Sequence, residues 1–358
     1  MGIRVWRLGG STFNAMHPRL AACLVAVFIA GSRCAVAAPS EDLTACFKGG
    51  DSAIAACTEA IASGKYQGAD LATAHIIRGN TYFSKGDYNS ATKDYDEAVR
   101  LDPKNAIAFY NRGNIYNRVG QYNEAIENFD QALKLKPDYA LAFNNRCYAN
   151  NAKGEYDLAI QDCSRAIELD SKNANFFVGR GNNAKGKKHD YDGAIIDFNE
   201  AIRLDPNNVS AYLGRCSALT SKANYGSAIE SCDQALKRQP NNSTARNNRC
   251  WAGAILGEPQ HQLKQALDDC NEALRLRSND PYSFDSRGFV YLKMGDLEKA
   301  IADYDQSILL GGERPSSLYG RGIAKLRKGD AVGGNNDISA AKKKKPNIAE
   351  EFQGYGVQ

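Results

Sequence analysis

The chain is expected to fold as an all-α stack of helical hairpins, a solenoid built by adding like units side by side. Three observations predict this. Residues Ala72 to Asn105 return almost slot for slot in Ala106 to Tyr139, a period of 34 residues. Alanines recur early in each second helical segment, at Ala91, Ala125, Ala159, Ala194, Ala228, Ala266 and Ala300. Cysteines come in pairs set symmetrically about the turn of their own unit. A fixed period of this length signals stacked hairpins, each unable to bury its apolar face alone.

The first 37 residues read as an export signal. Leu20 to Ala30 is an apolar run preceded by Arg19 and followed by Ala35-Val36-Ala37, an A-x-A cleavage pattern. The run falls well short of the ~20 residues that span a bilayer as a helix; an uncleaved anchor is the alternative. Met16 opens a more usual signal, which leaves Met1 or Met16 open as the start. Leu20-Ala21-Ala22-Cys23 resembles an acylation box but precedes the apolar run, so lipidation is rejected. The formal charge of +4 comes from Arg4, Arg7, Arg19 and Arg33 in this segment, which has no acid. The remainder carries 41 basic and 41 acidic residues. That balance argues against general binding to nucleic acid or anionic membrane, which needs clustered cations.

Residues 38–71 read as a capping hairpin turning at Gly49-Gly50-Asp51, because end units of a solenoid need a different outer face. Eight fuller units follow, at 72–105, 106–139, 140–173, 174–208, 209–242, 243–280, 281–314 and 315–348, with a tail at 349–358. The fourth carries one extra residue near His189 and the sixth four around Pro259-Gln260-His261, between helices where a longer turn costs little. The recurrent alanines let paired helices approach to roughly 8–10 Å. Asp102-Pro103 and Asp205-Pro206 end second helices, since proline cannot continue them. Lys342 to Lys345 suits a helix C-terminus better than a nucleic-acid patch.

With Arg78-Gly79, Tyr82, Gly86, Ala91, Tyr95, Ala98 and Pro103 recurring as Arg112-Gly113, Tyr116, Gly120, Ala125, Phe129, Ala132 and Pro137, the chain resembles the tetratricopeptide repeat family over nearly all of its length after the signal. The resemblance implies a right-handed superhelix with a groove lined mainly by first helices. It implies a non-catalytic scaffold for a protein or peptide partner, without cofactor or metal. Enzymatic motifs are absent: no P-loop, nucleophile elbow, H-E-x-x-H or C-x-x-C occurs, and His75, His189 and His261 lie in separate units.

Beyond residue 37 there are eight cysteines. Cys147 and Cys163 are sixteen apart, as are Cys216 and Cys232; Cys250 and Cys270 are twenty apart, across the four-residue insertion. Eight residues of helix rise about 12 Å, so both members of a pair sit level on antiparallel helices. Other units hold glycine in the first slot and a large residue in the second: Gly79 with Tyr95, Gly113 with Phe129, Gly181 with Phe198, Gly288 with Tyr304, Gly322 with Ile338. Either an absent side chain admits a bulky one, or two cysteines meet. Disulfides are expected at Cys46–Cys57, Cys147–Cys163, Cys216–Cys232 and Cys250–Cys270, as an exported chain would allow; buried thiols are the alternative.

Each unit has arginine before that first slot: Arg78, Arg112, Arg146, Arg180, Arg215, Arg249, Arg287 and Arg321. Before the second slot stands an acid, at Asp94, Asp162, Asp197, Asp269, Asp303 and Asp337, with Asn128 and Ser231 as exceptions. These are expected to form a structural ion-pair ladder; a basic stripe for anionic ligands is opposed by the matching acids. On the first helices Asn80, Asn111, Asn114, Asn145, Asn182 and Asn248 are expected to line the groove. Amides both donate and accept, so such a run can hold a peptide backbone regardless of its sequence. Trp251, Tyr282 and Phe289 continue that face as aromatic anchors, or else pack against neighbouring units. Aromatics beside amides also suit sugars, which keeps a cell-envelope glycan as the second functional reading.

Overall fold

The computed structural model describes residues 41–48, 52–188, 190–257 and 260–357. The expected signal at 1–37, the Gly49-Gly50-Asp51 turn, His189 and Pro259 lie outside the described residues. Within these residues all regular structure is α-helical, and no helix is long and apolar enough to cross a membrane. The chain divides into two compact units, residues 1–183 and 184–358.

The first unit opens with a short hairpin of α1 (Glu41–Phe47) and α2 (Ala53–Ala62). It continues with α3 (Gly68–Ser84) and α4 (Tyr88–Leu101), α5 (Ala106–Val119) and α6 (Tyr122–Leu135), and α7 (Ala140–Lys153) and α8 (Tyr156–Leu169), and ends within α9 (Ala174–Lys188), whose residues 184–188 belong to the second unit. Helix α3 begins four residues ahead of Ala72, where the first full unit was expected to start. The second unit runs from α10 (Tyr191–Leu204) through α11 (Val209–Ser221) and α12 (Tyr225–Arg238), α13 (Ser243–Leu256) and α14 (Gln260–Leu276), and α15 (Pro281–Met294) and α16 (Leu297–Gly311). It closes with α17 (Pro315–Lys328), α18 (Ala331–Lys344) and α19 (Ile348–Gly354).

Local chemistry sets the helix ends. First helices α5, α7, α15 and α17 stop at Gly120, Gly154, Gly295 and Gly329, which take left-handed φ of 81°, 80°, 80° and 95°. That conformation turns the chain sharply and satisfies terminal carbonyls, and only glycine adopts it without strain. In the α11–α12 hairpin the slot is filled by Ala223, at φ 57°. In several hairpins the following helix is then capped by a short polar side chain, as where Asp87 accepts from Ser90 N and Asn224 from Ser227 N, whereas Gln121 and Glu155 make no such bond.

Packing between paired helices follows from small residues. Ala91, Ala125, Ala159, Ala194, Ala228 and Ala300 are fully buried. A Cβ on Gly79 would lie 2.8 Å from the Tyr95 ring and one on Gly113 2.7 Å from the Phe129 ring, so each ring occupies the space a side chain would need. Where cysteines replace this arrangement they are bonded. The Cα separations are 4.7 Å for Cys46–Cys57, 5.5 Å for Cys147–Cys163, 5.6 Å for Cys216–Cys232 and 5.5 Å for Cys250–Cys270. All lie inside the range that an unforced disulfide spans.

Candidate functional site

The arginines of seven first helices, Arg78, Arg112, Arg146, Arg215, Arg249, Arg287 and Arg321, each face two second helices. In α7, Arg146 forks onto Asp162 of its own hairpin, Nε to Oδ2 at 2.9 Å and Nη2 to Oδ1 at 2.5 Å. Its remaining nitrogen, Nη1, donates to Asp130 of the preceding hairpin at 2.5 Å. Arg249 does the same with Asp269 and Asp233, and Arg321 with Asp337 and Asp305. Arg287 forks onto Asp303 and reaches Asn271, while Arg78 forks onto Asp94 and reaches Thr58. Where the acid is missing the arginine still docks: Arg112 on Asn128 and Asp96, Arg215 on Ser231 and Asn199. The planar fork of arginine suits such two-sided donation, which lysine could not supply. Arg180 lies over the Phe177 ring at 5.8 Å, and Asp197 is buried on α10.

The partner from the preceding hairpin was not read from the sequence. Its signal was there: the residue two past six of the eight acid slots is Asp96, Asp130, Asn199, Asp233, Asn271 or Asp305, sixteen residues before the next arginine, with Ser164 and Ser339 in the other two. His75 is a further unread member; its Nδ1 lies 2.8 Å from Asp94 Oδ1. Burial opposes the charge on Asp94, yet the bonds from His75 and Arg78 outweigh it and hold the carboxyl below its ordinary range. Bonding to Asp269 and Asp233 overcomes burial to raise Arg249. Arg215, given only Ser231 and Asn199, is lowered by burial. Of these seven arginines, six therefore bond to a carboxylate and Arg215 to neutral groups.

The asparagines split between the units. In the first, Asn111 Nδ2 donates to Asn80 Oδ1 at 3.0 Å and Asn145 Nδ2 to Asn114 Oδ1 at 2.7 Å, each bond linking consecutive first helices. Tyr95 donates to Asn80 at 2.6 Å, and Asn145 also donates to the Tyr110 hydroxyl. Asn80 and Asn182 are exposed, and Asn111, Asn114 and Asn145 half-buried. An amide has two donor hydrogens and two acceptor lone pairs, so these bonds fix each side chain's orientation and leave hydrogen-bonding capacity over. Asn248, half-buried on α13, belongs to the second unit.

The aromatic residues of the second unit correct the expectation of an open groove. Phe289 is 1% exposed. Phe352 of α19 meets it edge-on at 5.8 Å between ring centres, and Tyr355 meets Trp251 at 5.5 Å. Trp251 and Phe289 also touch each other, at 5.0 Å. The cause is a return of the C-terminal segment that no local pattern announced. Tyr282 stands apart from this cluster, 54% exposed, with the Arg314 guanidinium 3.9 Å above its ring. Nearby, Asp285 is buried and accepts from Ser317 at 2.6 Å and Ser316 at 2.9 Å. Burial pushes its carboxyl up, against the pull of Arg314 and the two hydroxyls.

Among the described residues no group of His, Cys, Asp or Glu could hold a metal ion. Paired helices, shared-slot arginines and an amide-bearing first-helix face define a helical repeat protein of the kind that presents a binding surface. Matches to "TPR repeat" at residues 79–120 and "Tetratricopeptide repeat" at 106–139, 140–173, 183–243 and 283–310 cover just over half of the sequence, and the chain belongs to the tetratricopeptide repeat family. Stress-induced-phosphoprotein 1 of Caenorhabditis elegans is 48% identical over 46 residues, 13% of this chain and 14% of that protein's length. The solved Cut9–Hcn1 structure of the APC/C aligns with a TM-score of 0.61 at 16% identity, over 89% of this chain and 64% of that one. A tetratricopeptide repeat protein from Parabacteroides merdae aligns at 0.55 and 19% identity, over 71% of this chain and 98% of that one. The pilF structure of Pseudomonas aeruginosa aligns at 0.52 and 20% identity, over 59% and 94%. At these identities the likeness establishes the fold.

Proposed function

We propose that the protein is a non-catalytic interaction scaffold, exported to an oxidising compartment such as the bacterial periplasm, that holds an extended polypeptide segment on the amide face of its first unit. The observation that carries this reading is the paired bonding of Asn80 with Asn111 and of Asn114 with Asn145. Amides held in one orientation lose little rotamer entropy when a ligand arrives, and preorganisation of this kind raises affinity. After accepting from Tyr95 and Asn111, Asn80 retains both of its own donors, while Asn111 retains a donor and its carbonyl oxygen. Donors and acceptors spaced along successive helices match a backbone whatever its side chains. Four disulfides in one chain support the oxidising compartment.

Envelope extract passed over the immobilised full chain tests the reading, with an Asn111→Ala/Asn145→Ala variant beside it. Polypeptide recovered on the parent should fall about tenfold on the variant while its helical circular dichroism is kept. Equal recovery would defeat the amide-face reading. The second reading, a glycan ligand, rested on aromatics beside amides, and Trp251 and Phe289 are packed by the chain's own tail. Saccharide retained by both proteins, without polypeptide, would restore it.

A further inference from the structure

Residues 348–357 do not extend the stack. A further hairpin would touch only its neighbour, because each unit of a solenoid contacts the next one alone. This segment instead crosses three first helices in reverse order. Phe352 packs on Tyr319 of α17 at 4.8 Å and on Phe289 of α15 at 5.8 Å, and Tyr355 on Trp251 of α13 at 5.5 Å. Lys293 of α15 donates from Nζ to the Ile255 carbonyl at the end of α13 and to the Tyr355 carbonyl of the segment, at 3.2 and 3.1 Å. Ile348, Phe352 and Val357 are 2%, 1% and 3% exposed, whereas Gln353, Gly354 and Gly356 face outward.

The geometry points to a docking surface. We propose that the face of α13, α15 and α17 bearing Trp251, Phe289 and Tyr319 is a binding site for a short peptide with two aromatic anchors three residues apart, and that the chain's own residues 348–357 fill it as a displaceable occupant. The segment is built for this. Helix α19 has seven residues, too few to be stable by itself, so its order comes from the face it lies on. Pro346 separates it from α18, and Gly356 takes a left-handed φ of 75° so that Val357 turns back into the cluster. Deep aromatic anchors with polar residues between them are how a short helix is held in a groove. Lys293 supplies a backbone-directed donor that any peptide carbonyl satisfies equally well. Segments ordered only by docking belong to the low-stability end of a fold and open locally. This site lies wholly in the second unit and stands or falls apart from the amide face of the first.

The test uses the full chain with Trp6→Phe, so that Trp251 is its one tryptophan, and a labelled synthetic peptide of residues 346–358. A Phe352→Ala/Tyr355→Ala variant of that chain should bind the peptide at least tenfold more tightly than its parent. Its Trp251 emission should move to the red and return when peptide is added. A peptide with both aromatics changed to alanine should do neither. A variant with intact helical circular dichroism that ignores the peptide would overturn the proposal, as would a parent that binds equally well. Should the variant fail to fold, hydrogen exchange on the parent decides. Amides of 352–357 exchanging at least a hundredfold faster than those of α15 and α17 support a displaceable occupant, and equal protection overturns it.

Discussion

The Arg249 guanidinium and the Asp269 carboxylate meet at two points, Nε to Oδ2 at 2.7 Å and Nη2 to Oδ1 at 2.6 Å, with the acid only 4% exposed. An ion pair of this kind adds little when intact, because desolvation offsets attraction, but removing one partner strands the other. Asp269→Ala leaves Arg249 with Asp233 alone and also takes the carboxylate from Arg246 Nη1, and the lost stability should be about 2–3 kcal/mol, the arginines' residual exposure softening the full penalty. Arg215→Leu, which abandons the neutral partners Ser231 and Asn199 and the Tyr212 ring 5.5 Å away, should cost about 1 kcal/mol. Urea unfolding of the two variants measures the difference, and equal losses would mean that the ladder's charges do not matter.

Cystine and the glycine–aromatic pair are alternative fillings of one slot, and exchanging them is a direct trial of that equivalence. Cys147→Ser/Cys163→Ser removes a cross-link whose loop is worth about 3 kcal/mol. Cys147→Gly/Cys163→Phe copies Gly113 with Phe129, and Gly179 leaves room beside position 163 as Gly214 does beside Phe198. The second variant should therefore recover at least about 1 kcal/mol of what the first loses, by burying a phenyl ring. Denaturant midpoints under oxidising conditions compare them.

The buried carboxyl of Asp285 gives a pH dependence of known sign. Its folded pKa is raised, so its contribution to stability is complete below the unfolded carboxylate value near ~4 and is lost as pH rises through the folded pKa. Asp285→Asn keeps an acceptor oxygen for one of Ser316 and Ser317 and offers its NH2 to the oxygen of the other, without the buried charge. The variant should melt higher than the parent at pH 7, and the gap should close as pH falls toward about 4. Asp94 has the opposite sign: its lowered pKa stabilises above the unfolded value, and that support fades in acid. Melting curves of parent and variant between pH 3 and pH 8 would show whether the gap closes in that direction.

What was legible in the sequence is what repeats. Period, turn glycines and alanines locate the hairpins because every unit solves the same packing problem. The cysteine pairs were readable because a sixteen-residue separation across a turn brings two positions level. The same spacing places the acid near the arginine without deciding between its own hairpin and a neighbouring one, and the partner in the preceding hairpin obeys an equal spacing in the other direction. The burial of Phe289 was not legible. It depends on residues 352 and 355 returning across three helices, and such a contact leaves no periodic trace. The amide bonds between Asn80 and Asn111 and between Asn114 and Asn145 were likewise hidden, since each residue alone reads as an exposed helix amide.

Glycine should be preferred to alanine in two slots of this chain, so that one substitution and its reverse have opposite signs. Ala223 holds the left-handed position that Gly86, Gly120, Gly154, Gly295 and Gly329 hold in other hairpins. An L-residue there strains by about 1–2 kcal/mol, partly returned by glycine's larger unfolded entropy. Ala223→Gly should thus stabilise by about 0.5–1 kcal/mol. Gly113 is helical, and alanine would ordinarily improve it by nearly 1 kcal/mol. There, however, the added Cβ would meet the Phe129 ring at 2.7 Å, and Phe129 is fully buried with nowhere to retreat. Overpacking of that kind costs about 1–3 kcal/mol, so Gly113→Ala should destabilise. If thermal melts show Gly113→Ala to be neutral or stabilising, the helices of that hairpin are not as closely apposed as the Gly113–Phe129 contact requires.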